Sequence, residues 1–83
     1  MQPKGYNKYD AMTQTALSVF VKAMRKKYGL TQLQLSQDSG VGLRFVRDLE
    51  QGKTTLRLDK VNDVLRLFNA EVGPVLQQKD DEV

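Results

Sequence analysis

The chain contains no cysteine and no histidine. The first absence excludes disulfides and thiolate metal sites. The second removes the commonest general base and metal ligand. No apolar run approaches the ~20 residues that a membrane-spanning helix needs, and the N-terminal MQPKGYNKYDAMTQT has no apolar core of the secretory kind. These absences lead us to expect a cytoplasmic protein with no cofactor, no metal and no catalytic residues. Its nucleophile candidates are hydroxyls with no histidine to activate them. At 83 residues the chain makes one domain at most, and a domain of that size buries only about 60–65% of its unfolded surface. With neither disulfide nor thiolate metal site to reinforce it, oligomerisation is the obvious staple.

What is present is an uneven charge. The net charge is +3, but between Lys22 and Lys60 nine basic residues oppose four acidic ones, a local excess of +5. From Glu71 to Val83 the balance reverses to −3. A basic middle with an acidic end fits an anion-binding body and a solvated tail. Charge alone also fits a small protein kept in solution by its surface, so the pattern of residues has to decide.

Residues 1–12 mix Pro3, Gly5, Asn7 and Asp10 with Tyr6 and Tyr9 and show no period, which predicts a flexible arm. A helix is expected from Thr13 to Tyr28. Ala16, Leu17, Phe20, Val21 and Met24 fall on one face, Thr13 is the N-cap without a full capping box, and Gly29 is the left-handed stop. Thr31 opens a second helix, with Leu35 inward, Ser36 small at a close helix crossing and Leu33 partly exposed. Gly40 ends it, Val41 is a buried turn residue, and Gly42 opens a third helix that Gly52 caps. A fourth helix is expected from Leu58 or Asp59 to Phe68, with Leu58, Val61, Val64, Leu65 and Phe68 inward and Asn69 at its C-cap.

On the third helix, Val46, Leu49 and Phe45 face the core, while Leu43, Arg44, Arg47 and Asp48 share the opposite face. Helix, glycine turn and helix, from Thr31 to Gly52, is the layout in which the second helix enters the major groove of DNA. An outer face with two arginines is what a groove reader needs, although the helix alone would equally fit a solvated surface. After Asn69 and Ala70 come Glu71, Val72, Gly73, Pro74, Val75 and Leu76, a segment too short for a useful helix. Pro74 permits only an edge position in a sheet. A lone strand in a helical domain finds a partner in its own copy across a twofold axis; the alternative is an irregular apolar tail folded over the core. We therefore expect an all-α domain of four to five helices over residues 13–70. A dimerisation strand over 71–76 pairs across a homodimer, and a disordered acidic tail covers 77–83.

From Leu17 to Phe68, roughly 52 of the 83 residues, the chain resembles the lambda-repressor-like, XRE-type helix-turn-helix proteins. The resemblance is carried by Arg25-Lys26, Gly29-Leu30-Thr31-Gln32, Leu35, Gly40-Val41, Val46, Leu49-Glu50 and Gly52-Lys53, in order and at the family spacing. It implies that Gln32 contacts phosphate with help from its helix N-terminus, that Leu43, Arg44 and Arg47 face the major groove, and that Lys53 contacts backbone phosphate. It also implies that Arg25 and Glu50 form a structural ion pair that orients the recognition helix. Two positions depart from the pattern. Gly42 stands where Ser or Thr is usual, which weakens the cap by a few tenths of a kcal/mol. Leu43 stands where a polar residue is usual, and it suits a thymine methyl. Arg44 is then the candidate for a bidentate guanine contact, and Asp48 either accepts from a cytosine amino group or orients Arg44.

The stretch GVGLRFVRDLEQGKTTLRLDKVNDVLRLFNAEVGPVL is similar to the HipB-like antitoxins. In that group a short strand after the last helix pairs across the dimer, the operon is autorepressed, and a HipA-type Ser/Thr kinase toxin is bound. The implied protein is a homodimeric repressor of a palindromic double-stranded DNA operator and the antitoxin of such a kinase. The alternatives are a dimeric repressor without a toxin and a helical adaptor whose basic face binds an acidic protein. The acidic tail has no tryptophan with which to anchor a partner.

Overall fold

Four helices, α1 (Ala16–Lys27), α2 (Gln32–Ser39), α3 (Leu43–Glu50) and α4 (Leu58–Arg66), form the regular structure of the computed structural model, which describes residues 15–76. Helix α1 begins later than its sequence pattern suggests, because Thr15 caps it. The Thr15 hydroxyl accepts from the Ser18 backbone N–H at 3.0 Å, and the Ser18 hydroxyl accepts from the Thr15 N–H at 2.9 Å. This is a full capping box in which serine does the work of the usual Glu or Gln. Thr13, the expected cap, lies outside the described residues, as do the arm over 1–12 and the tail over 77–83. Thr31 caps α2 in the same way, with Gln34 as its reciprocal partner.

Three of the four helices end by a shared device. In α1 the Leu30 N–H bonds the Arg25 carbonyl and the Gly29 N–H bonds that of Lys26. At α3 the pairs are Lys53 to Asp48 and Gly52 to Leu49, and after α4 they are Ala70 to Leu65 and Asn69 to Arg66. Each is a Schellman motif, which requires a left-handed residue just past the helix. Gly52 supplies it at φ 90° and Asn69 at φ 58°, where asparagine is the tolerated substitute for glycine. Helix α4 stops at Arg66, and Phe68 belongs to the turn that follows.

The core is Val21, Leu35, Val41, Val46, Leu49, Val61, Val64, Leu65 and Phe68, with Leu17, Met24, Leu30, Phe45, Leu56 and Ala70 packed around it. Helix α3 packs against both α1 and α2, and α4 packs against α2. The Phe68 ring lies edge-on to Phe20 at 6.5 Å and stacks on Tyr28 at 5.8 Å, which ties the chain after α4 to α1. Three expected inward residues are not buried. Ala16 and Phe20 are exposed on α1, and Leu58 is 62% exposed. Leu58 keeps the core face of α4 in angle, three residues before Val61. It lies one turn beyond the buried part of that helix, and the periodicity of a face says nothing about where the neighbouring helices end.

The expected strand is absent from the single chain. Glu71–Leu76 carries no strand among the described residues. It runs on irregularly, and the Val72 N–H is taken by the Asn62 side-chain oxygen at 2.8 Å. A strand is a pairing between two backbones, and no second strand is present among the described residues to pair with.

Candidate nucleic-acid interface

The turn between α2 and α3 is three residues long and fully accounted for. Gly40 adopts φ 82°, which an L side chain resists, and its N–H closes the helix on the Ser36 carbonyl at 2.9 Å. Val41 then points into the core. Its carbonyl would be left without a partner, but the buried Ser36 hydroxyl donates to it at 2.6 Å. Ser36 is buried, and position 36 needs to be a donor. The Ser39 hydroxyl donates to the Leu35 carbonyl at 2.7 Å. Gly42 opens α3 with no side-chain cap bond, in keeping with the missing Ser or Thr.

One buried carboxylate aims α3. Glu50 is 2% exposed. The Arg25 guanidinium reaches it with two nitrogens, Nε to Oε2 at 2.6 Å and Nη2 to Oε1 at 3.1 Å, and with a third donates to the Leu30 carbonyl at 2.8 Å. Gln32 Nε2 also donates to Glu50 Oε1 at 3.1 Å. The group thus joins α1, the linker after it, α2 and α3 at one point. A buried charge is tolerated only when paired and hydrogen-bonded, and Glu50 has three donors. Gln32, read from sequence as a phosphate contact, is held by this bond at the start of α2. Its amide nitrogen carries two N–H groups, so one remains for an external acceptor.

The outer face of α3 carries Arg44 and Arg47, both exposed, with Leu43 and Asp48 half-buried beside them. Arg44 Nε lies 3.5 Å from Asp48 Oδ1, and Lys53 Nζ lies 3.7 Å from Asp48 Oδ2. Gln32, Gly42, Leu43, Arg44, Arg47, Asp48 and Lys53 therefore lie on α2, α3 and the turns that bound α3. Three cations against one acid leave this surface positive, which suits a polyanion. Arg57, in the loop before α4, is engaged elsewhere. Its guanidinium donates to both Asp59 oxygens, at 3.2 and 2.7 Å, and holds that carboxyl below its ordinary value.

Two features escaped the reading of the sequence. The bond from Gln32 to Glu50 crosses from α2 to α3, and no local spacing reveals it. The meeting of Lys53 with Asp48 was open to inference, because a glycine-terminated helix folds the second residue past its end back over its last turn. Among the described residues no group of acidic side chains is arranged to hold a metal ion, and no helix is long and apolar enough to cross a membrane.

Comparison with known proteins agrees with this geometry. The model of the helix-turn-helix family matches residues 21–73, more than half of the chain. An uncharacterized HTH-type transcriptional regulator of Sinorhizobium fredii is 38% identical over 60 residues, covering 72% of this chain and 79% of its own length. Another of the same description, from Archaeoglobus fulgidus, is 32% identical over 63 residues, covering 76% of this chain and 90% of its own. With capped helices, a glycine turn and a basic outer face on the second helix of the pair, the chain belongs to the XRE-type helix-turn-helix family of DNA-binding transcriptional regulators.

Proposed function

We propose that the protein is a homodimeric, sequence-specific repressor that reads a palindromic operator through α3. The observation that carries this is the outer face of α3, where Arg44 and Arg47 project from a helix whose inner face is locked by Glu50 and the core. Leu43 packs on a thymine methyl, Arg44 takes the edge of a guanine, and Gln32 and Lys53 hold phosphates on either side. Two such helices in a dimer stand about 34 Å apart, so the half-sites are one helical turn apart.

Dimerisation falls to residues 71–76. Here Val75 and Leu76 are 79% and 98% exposed. The segment borders an apolar groove of ≈ 410 Å³ whose other walls include Leu17, Phe20, Leu65 and Ala70. Open backbone beside uncovered apolar surface is what a second copy of the same segment would complete. The likeness to HipB-type antitoxins supports a further element, autorepression of an operon that also encodes a HipA-type kinase toxin bound by this protein in the cytoplasm.

Duplex binding titrated against salt tests the repressor. Several phosphate contacts make affinity fall steeply with salt. Arg44→Ala should relax preference at one position per half-site, and Lys53→Ala should weaken all sequences alike and flatten the salt slope by about one unit. Binding without preference for any palindrome would overturn the reading. Truncation after Asn69 should abolish the dimer in sedimentation, and an unchanged dimer would remove the segment from the interface. Capture of a Ser/Thr kinase by the full chain tests the antitoxin role, and its failure would leave a repressor without a toxin.

A further inference from the structure

We propose that Asp48 is a positioning residue that sets the specificity of α3 by holding its base reader and its phosphate clamp together, and that it does not itself contact DNA. This rests on the DNA reading above. Three observations carry it. The first is that Asp48 stands between two cations, with one carboxylate oxygen toward Arg44 and the other toward Lys53. The approach to Arg44 is at Nε. The nearest approach is therefore not through the two terminal nitrogens of the guanidinium, the fork that grips a guanine edge.

The second observation is that the backbone enforces the meeting with Lys53. The Lys53 N–H bonds the Asp48 carbonyl at 3.1 Å, so the helix ending itself delivers Lys53 to this residue. The third is that Asp48 breaks a local rule. It is an acid in the last turn of a helix, where the dipole disfavours negative charge, and it lies on a face that would meet phosphate. Its side chain is only 22% exposed, against 88% for Arg44, so a half-buried carboxylate stands against an exposed guanidinium. A residue that breaks a local rule is expected at a functional or a strained position, and no strained backbone is found at Asp48.

The consequence is a distinction between binding modes. On non-specific DNA, where only phosphates are met, the Asp48 charge repels the duplex and neutralises part of Arg44 and Lys53. On the cognate site the tether presents the Arg44 fork already aligned, which offsets that repulsion. Asp48 therefore costs non-specific affinity and supports specific affinity, and the ratio between them is its product.

The test is Asp48→Asn in the full-length protein, assayed on a cognate palindrome and on a scrambled duplex of equal length across a range of salt. The substitution preserves the backbone carbonyl that ends α3, so circular dichroism melting should be nearly unchanged. Affinity for the scrambled duplex should rise several-fold, with a salt slope steeper by about one unit. The ratio of cognate to scrambled affinity should fall about tenfold, within the range that one bidentate base contact supplies. The combined effect of Arg44→Ala and Lys53→Ala should depart from additivity in the wild-type background and become additive when Asp48 is Asn. A cognate preference in the wild type that Asp48→Asn leaves intact would overturn the proposal alone. Absence of any preference in the wild type would overturn the DNA reading and this proposal with it.

Discussion

The stretch from Thr31 to Lys53 and the segment from Glu71 to Leu76 are built to opposite standards. In the first, the polar groups that fix its shape are answered from within the chain. Thr31 caps one helix, Ser36 serves the Val41 carbonyl, Glu50 takes three donors, and the Lys53 N–H closes the other helix. In the second, Val72 is held by one side chain while Val75 and Leu76 are exposed. The first can be rigid in a single copy, as a reader of fixed groove geometry must be. The second leaves apolar side chains uncovered, which is the ground for the association proposed above.

The comparison can be broken most severely at Arg25. Arg25→Ala leaves Glu50 buried without its charge partner and should cost about 3–5 kcal/mol in denaturant unfolding. A loss below 1 kcal/mol would mean that α3 is aimed by the core alone. Ser36→Ala leaves the Val41 carbonyl without a donor in the turn and should cost about 1–3 kcal/mol, with little effect on association. On the other side of the comparison, Asn62→Ala frees the Val72 N–H to water. Stability of the monomer in denaturant unfolding should fall by less than about 1 kcal/mol, while the proposed dimer should weaken measurably in sedimentation. Equal effects on both readouts would mean that the segment is part of the folded body.

The smallest expected effect lies at Asp59, outside both regions. Hydrogen bonds from Arg57 lower its carboxyl below the ordinary 3.8, against a smaller opposing effect of desolvation. Its ionised form therefore stabilises the fold above that value, and the contribution fades as pH falls through the lowered one. The pair is on the surface and screened by salt. Stability measured against pH should show a small wild-type advantage over Asp59→Asn at neutral pH that vanishes at the acid end.

Much of the recognition stretch was legible because its devices are local. Thr31, Gly40 and Gly52 act within a few residues of themselves, and Leu35, Val46 and Leu49 follow from a helical period. The Arg25–Glu50 pair spans 25 positions, so no period reveals it, and it was read only through resemblance. Leu58 and Ala16 were misread because a face extends along a whole helix whereas burial stops where the neighbours stop. The start of α1 was misplaced because either of two threonines can cap, and the choice falls to the one with Ser18 three residues on.

By itself, then, the sequence determined the succession of helices and turns from α1 to α4 and the division of α3 into an inner and an outer face, since these depend on interactions of short range. Tertiary structure alone decided that Glu50 collects donors from both α1 and α2, and that residues 71–76 lie beside an open apolar groove. Each of these joins groups that are distant in the chain or separated by a turn of defined hand, and the space between them exists only once the helices have packed. Glu71–Leu76 carries no strand in the single chain, because a strand is a pairing between two backbones.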